Sequence, residues 1–176
     1  ASFLGLSPLH ALFTSDRTKI SPYSPSSRLF LEPLYLALDV LGCEDDARLV
    51  PLREAFLVDY DKAWSVKRAC LEKLFTCFAT HGLSEAQEQR RKELGSALED
   101  HATFEALSEH FSEQGLLWAG VWPKAFRDSL SPEVRTFAQD HRARLDFHVW
   151  LQLIAEAQLA AAAQTARASG MEDRKS

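Results

Sequence analysis

Residues 21–35 read Ser-Pro-Tyr-Ser-Pro-Ser-Ser-Arg-Leu-Phe-Leu-Glu-Pro-Leu-Tyr, and no other stretch restricts the fold as tightly. Pro22, Pro25 and Pro33 each lack an amide donor and push the preceding residue out of the helical region. No helix passes through such a segment. Nor is it a disordered linker, because Leu29, Phe30, Leu31, Leu34 and Tyr35 give it the apolar content that solvated chain lacks. What remains is an ordered loop, pinned by its apolar half and offering serine and tyrosine hydroxyls from the other half. Ordered loops often carry binding residues, but a structural crossover whose serines cap neighbouring helices has the same composition. The residues alone leave both readings open.

Ahead of the loop, Ala1 to Leu6 is an apolar run without alternation, which reads as a short parallel strand covered on both faces. No later segment reads as its matching central strand; Leu34 to Val40 is the nearest candidate and fits a short helix or an extended edge equally well. After the loop the pattern is helical. Glu44-Asp45-Asp46 places acids at the start of a short helix within 45–56. From Asp59, the residues Ala63, Trp64, Val66, Cys70, Leu71, Leu74, Phe75 and Phe78 recur at steps of three and four, up to His81-Gly82. Ser84-Glu85-Ala86-Gln87 is a capping box that opens the next helix. Its apolar stripe is Leu98, Ala102, Phe104, Leu107 and Phe111, and Gly115 closes it.

Residues 116–128 carry Trp118, Trp122 and Phe126. A flat ring in a loop can stack on a sugar face, but a plug that packs the helices together is the favoured reading. Ser131-Pro132-Glu133 is N-cap, N1 proline and acid in order. The helix it opens runs to Ser169 before Gly170, or breaks near Asp140-His141.

Composition narrows the partners. With 46% hydrophobic and 26% charged residues the chain is that of a soluble globular protein. A net charge of −5 argues against nucleic acid, and Lys67-Arg68 and Arg90-Arg91-Lys92 read as solvated helix faces. No apolar run is long enough to span a bilayer, and no signal peptide opens the chain. Cys43, Cys70 and Cys77 have no metal-ligand spacing. Cys70 and Cys77 lie roughly 10 Å apart along a helix, too far for a disulfide; all three read as buried small hydrophobes in a reducing cytoplasm. The six histidines show no helical pair of the zinc-binding kind, so no metal is expected. Phosphate loops and nucleophile elbows are likewise missing. The acidic pairs Asp59/Asp61 and Glu99/Asp100 read as solvated.

Several motifs, in order, carry a resemblance. Ser21-Pro22-Tyr23-Ser24-Pro25-Ser26-Ser27-Arg28, followed by Pro33-Leu34-Tyr35, resembles the substrate-side loop of the 4-α-glucanotransferases (amylomaltase, disproportionating enzyme, glycoside hydrolase family 77). Residues 3–13, Phe-Leu-Gly-Leu-Ser-Pro-Leu-His-Ala-Leu-Phe, are similar to that family's Gly-Leu-Asn-Pro-Leu-His-Ala-Leu-Phe. Val58-Asp59-Tyr60-Asp61, Trp64, Lys67-Arg68, Leu98-Glu99-Asp100 and Phe147 to Gln152 resemble its helical insertion. The resemblance reaches to about Met171. Ser7 and Glu32 stand where the family usually has asparagine, and His101 where it commonly has tyrosine; Asp100 is read as structural.

The resemblance implies a mainly α chain that is an N-terminal piece of a (β/α)8 TIM barrel, a view the missing initial methionine suits. Its expected parts are a barrel strand and substrate-side loop over 1–42, a helical insertion over 43–130, a long helix over 131–171 and a frayed tail over 172–176. It implies a cytoplasmic, cofactor-free enzyme that moves α-1,4-glucan segments between oligosaccharides by retention, with no nucleic-acid or membrane partner. Such chemistry needs two carboxylates about 5 Å apart. In the family these lie further along, so this chain is expected to hold no catalytic residue and to be inactive alone. Tyr23, with Ser21, Pro22 and Ser27, is the expected substrate contact, its ring offered to a glucose face. A self-standing helical interaction module derived from such an enzyme is the alternative.

Overall fold

The computed structural model describes residues 5–43 and 47–171. Two short strands, β1 (His10–Ala11) and β2 (Ser27–Leu31), are followed by five helices: α1 (Val50–Glu54), α2 (Tyr60–Ala79), α3 (Glu85–Ser112), α4 (Pro132–Asp140) and α5 (Arg142–Ala168). The molecule is therefore mainly helical, as expected.

Helix α5 is the axis of the fold. Leu145, Val149 and Leu153, spaced by four, face α3 and pack with Leu98, Ala102, Leu107 and Phe111. On the opposite side Phe147, Leu151, Ile154 and Ala155 meet Leu71 and Cys70 of α2 and the residues Leu34, Leu36 and Leu38. A helix buried all round must be apolar all round, and residues 145–155 are so apart from Asp146, His148 and Gln152. Each fully covered leucine (Leu71, Leu98 and Leu151 are 0% exposed) contributes about 1.5–3 kcal/mol of burial. Beyond Ala155 the helix is largely exposed.

The helix starts follow the sequence. Asp59 caps α2 by accepting from Lys62 N at 3.0 Å. Ser84 and Gln87 form the reciprocal capping box of α3. Ser131 accepts from Val134 N at 3.1 Å to open α4. Of the two possibilities for the last helix, the break near Asp140-His141 is the one observed: His141, at φ −110° and ψ 26°, separates α4 from α5. Residues 116–128 act as a plug at Trp122, which is buried with its Nε1 donating to Leu116 O at 3.1 Å and its ring against Phe104 and Phe111. Trp118 instead lies exposed across Gly120, where a Cβ would sit 2.0 Å from its ring.

Helix α3 holds an interruption that no motif announced. Gly95 adopts φ 57° and ψ −141°, a region open essentially to glycine, and the helix kinks there. Nothing lies within 4 Å of a Cβ built at Gly95, so the backbone angle alone forbids a side chain. Gly95→Ala is expected to lower unfolding free energy by about 1–3 kcal/mol in urea titration, whereas Ser96→Ala leaves it nearly unchanged.

Several expectations are corrected. The proposed strand over Ala1–Leu6 falls, for residues 1–4, outside the described residues; Gly5 and Leu6 form no strand, and Leu6 is exposed. The sheet observed is instead antiparallel, with His10 opposite Leu31 and Ala11 opposite Ser27 across an irregular register. Residues 34–40 are neither strand nor helix but lie across 3₁₀ turns at 33–35 and 39–41, because Pro33 removes one donor and Gln158 captures the amide and carbonyl of Ala37 (2.8 and 3.0 Å). Glu44-Asp45-Asp46 and the tail 172–176 lie outside the described residues. None of the three cysteines forms a disulfide, but Cys77 is exposed and Cys43 half-buried; Cys70 alone of them is buried. Lys67-Arg68 is no solvated face: Lys67 Nζ donates to Leu34 O and Leu36 O at 2.5 and 2.7 Å, and burial depresses its pKa.

Candidate functional site

Residues 12–32 leave β1, run out as an arm and return through β2. The outgoing limb bends at Asp16, whose carboxylate accepts from Thr18 N at 3.2 Å and whose carbonyl accepts from Lys19 N at 3.2 Å. At the tip Ser24 N donates to Ser21 O at 3.0 Å, closing a turn around Pro22 and Tyr23. Proline's fixed φ suits such a turn. The returning limb is tied at Ser26: its amide donates to Ala11 O at 2.8 Å, and its hydroxyl to Ala11 O and Leu12 O at 2.9 Å.

The apolar half of the loop does fix it. Phe30 is buried and stacks on His101, centroids 4.4 Å apart at 13°, and Leu34 is buried against α2 and α5. Gln152 on α5 brackets Leu31, accepting from its amide and donating to its carbonyl at 2.9 Å each, so the helix side chain substitutes for a missing strand. The hydroxyls nearest the tip stay exposed. Tyr23 is 74% exposed, Ser21 is exposed, and Pro22 and Ser27 are half-buried, with Ser27 Oγ accepting from Leu29 N at 3.2 Å. Ser21, Pro22 and Tyr23 are thus brought together at one turn, while Ser27 sits at the start of β2.

Beneath the arm lies a buried polar layer that sequence reasoning did not foresee. Glu32 is 1% exposed and accepts from Leu12 N (2.8 Å), Arg17 Nη1 (2.7 Å) and Leu34 N (3.0 Å). The Arg17 guanidinium lies over the Trp64 ring at 4.4 Å. Thr14 Oγ1 donates to Glu105 Oε2, whose carboxyl is buried and pushed up to about 8 by desolvation. Glu109 receives both Arg144 Nε and Nη2, at 2.5 and 2.6 Å. Burial alone would raise its pKa, but the two Arg144 donors outweigh that and hold it well below the usual carboxylate range. His148 Nε2 lies 3.4 Å from Glu109 Oε2, a contact without hydrogen-bond geometry, and burial keeps the ring neutral. Burial likewise drops His101 to about 3.

The one signal in the sequence was Glu32 itself, an acid among apolar residues at a position where asparagine is usual in the resembling family. Its carboxylate takes three donors. Of the other acids, Glu99 binds Arg91 and Arg142 and Asp59 caps α2, while Asp100 is exposed on the rim of a cleft of about 280 Å³ that Phe104, Trp122 and Phe126 help to line. No cluster of three histidines, cysteines or acids able to hold a metal occurs among the described residues. No described helix is long and apolar enough to cross a membrane.

The glycoside hydrolase family 77 model, described as 4-alpha-glucanotransferase, matches residues 1–172. The 4-alpha-glucanotransferases of Mycobacterium tuberculosis and Mycobacterium bovis are each 33% identical to it over 97% of the chain. That of Haemophilus influenzae is 29% identical over 97%. The chain spans about a quarter of these relatives' length, 26% and 28% respectively. A family-model match over residues 1–172 places this chain in the 4-α-glucanotransferase family, glycoside hydrolase family 77.

Proposed function

We propose that the polypeptide to which this chain belongs transfers α-1,4-glucan segments between malto-oligosaccharides through a glycosyl-enzyme intermediate, in the cytoplasm and without a cofactor. On this reading residues 12–32 form the substrate-side arm of a (β/α)8 barrel, whose sites gather at the C-terminal ends of the strands. The nucleophile and acid/base carboxylates belong to the relatives' length that this chain does not span. The observation that carries the reading is Tyr23: a large amphipathic ring, 74% exposed, at the tip of an arm tied down at both limbs. An exposed ring has no folding role to explain it. Its face matches the apolar CH face of a pyranose, and its hydroxyl and that of Ser21 can bond the ring's edge. Family membership over residues 1–172 supports the enzyme over a self-standing helical module.

In a full-length enzyme carrying this sequence, Tyr23→Ala is expected to lower kcat/KM for maltotriose about threefold to tenfold, the worth of one aromatic contact. The melting temperature should stay within about 1 °C, because the side chain is exposed. Tyr23→Phe keeps the stacking and falls between. Unchanged kcat/KM in the alanine variant would remove Tyr23 from the substrate site.

A further inference from the structure

We propose that the buried Arg17–Glu32 pair is a positioning device: it fixes where the arm stands, and so where Tyr23 is presented, rather than holding the fold together. The consequence for substrate rests on the functional reading above; the effect on the arm does not.

The placement of Glu32 carries the argument. Its two carboxylate oxygens accept from Leu12 N, at the start of the outgoing limb, and from Leu34 N, just past the returning one. Its own amide donates to Leu9 O at 3.0 Å. One residue thus fastens both roots of the arm to each other. Arg17 supplies the third donor from inside the arm, at 2.7 Å, with the two side chains 3% and 1% exposed. Arg17 gains little else from its position. Its Nε and Nη2 have no hydrogen-bond partner among the described residues, and its guanidinium lies over the Trp64 face. A buried ion pair with unfilled donors is a poor source of stability, since its desolvation cost rivals its attraction, whereas it specifies one arrangement of the chain well. What it specifies here is the register of the two limbs. Ser26, which bridges Ala11 O and Leu12 O, repeats the fastening further out. Between that second tie and the tip, the arm has no buried apolar side chain.

The test follows amide exchange of Thr18 and Ser26, neither of which bonds Arg17 or Glu32, alongside core amides of α3 and α5 such as Ala102 and Leu151. In Glu32→Gln both arm amides are expected to exchange about tenfold faster, the effect of weakening a charge-assisted hydrogen bond, and the melting temperature to fall because Arg17 is left as an uncompensated buried charge. The double variant Arg17→Met/Glu32→Gln removes that charge. Its melting temperature should return to that of the wild type while Thr18 and Ser26 remain fast. Recovery of slow arm exchange together with the melting temperature would overturn the proposal, since the pair would then serve stability alone. So would slow arm exchange in Glu32→Gln. Should that single variant not fold, the double variant decides by the same criterion. None of these measurements needs a sugar, so they stand or fail apart from the glucan reading.

Discussion

Stability of this protein is expected to peak near pH 6.5 and to fall on the alkaline side because of one carboxyl, Glu105. The group is buried, its Oε1 has no hydrogen-bond partner among the described residues, and Thr14 supplies a single donor to Oε2. Desolvation lifts it from 4.5 to about 8, and nearby Glu109 and Glu32 add to that lift. The folded state therefore keeps a proton that the unfolded chain releases above pH 4.5. Stability falls as pH rises wherever the folded state binds more protons, so the loss runs from about 4.5 to about 8. At 1.36 kcal/mol per pKa unit, it amounts to roughly 4 kcal/mol between pH 5 and 9. The histidines act in the opposite sense. Burial holds His101 at about 3 and depresses His148, so unfolding takes up protons below 6.5 and stability drops as pH falls. Between 4.5 and 6.5 His101 offsets Glu105, and the lowering of His148 tips the net slope upward. Above 6.5 Glu105 acts alone among them, and the slope turns down. Urea titrations at half-unit steps measure this directly. Glu105→Gln keeps an acceptor for Thr14 and cannot ionise, so its curve should flatten above pH 6.5 and cross above that of the wild type by pH 8.5. A wild-type curve as flat as the variant's across that range would show that Glu105 is ionised and paired in the fold.

The helices were legible because their signals are local. Asp59, Ser84 and Ser131 cap where their side chains indicate, and the steps of three and four in α2 and α3 mark the buried faces. The loop at 21–35 was legible for the complementary reason, that prolines veto alternatives, and Phe30 and Leu34 anchor it as their apolarity suggests. Three things were not legible. Strand β2 pairs with two residues of β1 and is completed by Gln152, a partner 121 residues away that no periodicity announces. Gly95 breaks α3 without a turn motif around it. The polar layer under the arm draws Thr14, Arg17, Glu32, Glu105 and Glu109 from distant positions, and each of them alone looks like a surface residue. A charged residue in sequence reads as solvated by default. Its burial becomes visible once the chain has brought its partner to it.

Arg144→Met is the second substitution with a large expected effect, because it strands Glu109. The guanidinium grips Glu109 with two donors, gives a third to Glu72 Oε1 at 2.8 Å, and covers Phe147 at 4.4 Å. Methionine preserves the apolar cover and removes every donor. Glu109 would then keep His148, held neutral by burial, and Arg68 at 3.5 Å, too long for a strong bond. Breaking one side of a buried ion pair typically costs about 3–5 kcal/mol, far more than the pair itself contributes. The single variant should lose that much at pH 7. Arg144→Met/Glu109→Gln, which leaves no buried charge behind, should recover most of it. The pH dependence supplies the check on mechanism. Glu109 has a depressed pKa in the fold, so its stabilisation is present above about 4.5 and fades as pH falls below that. Without Arg144 the carboxyl protonates readily, so the gap between wild type and variant should narrow towards pH 3. A loss at pH 7 below about 1 kcal/mol, or a gap that stays constant down to pH 3, would mean that Arg144 serves mainly as cover for Phe147 and that solvent reaches Glu109.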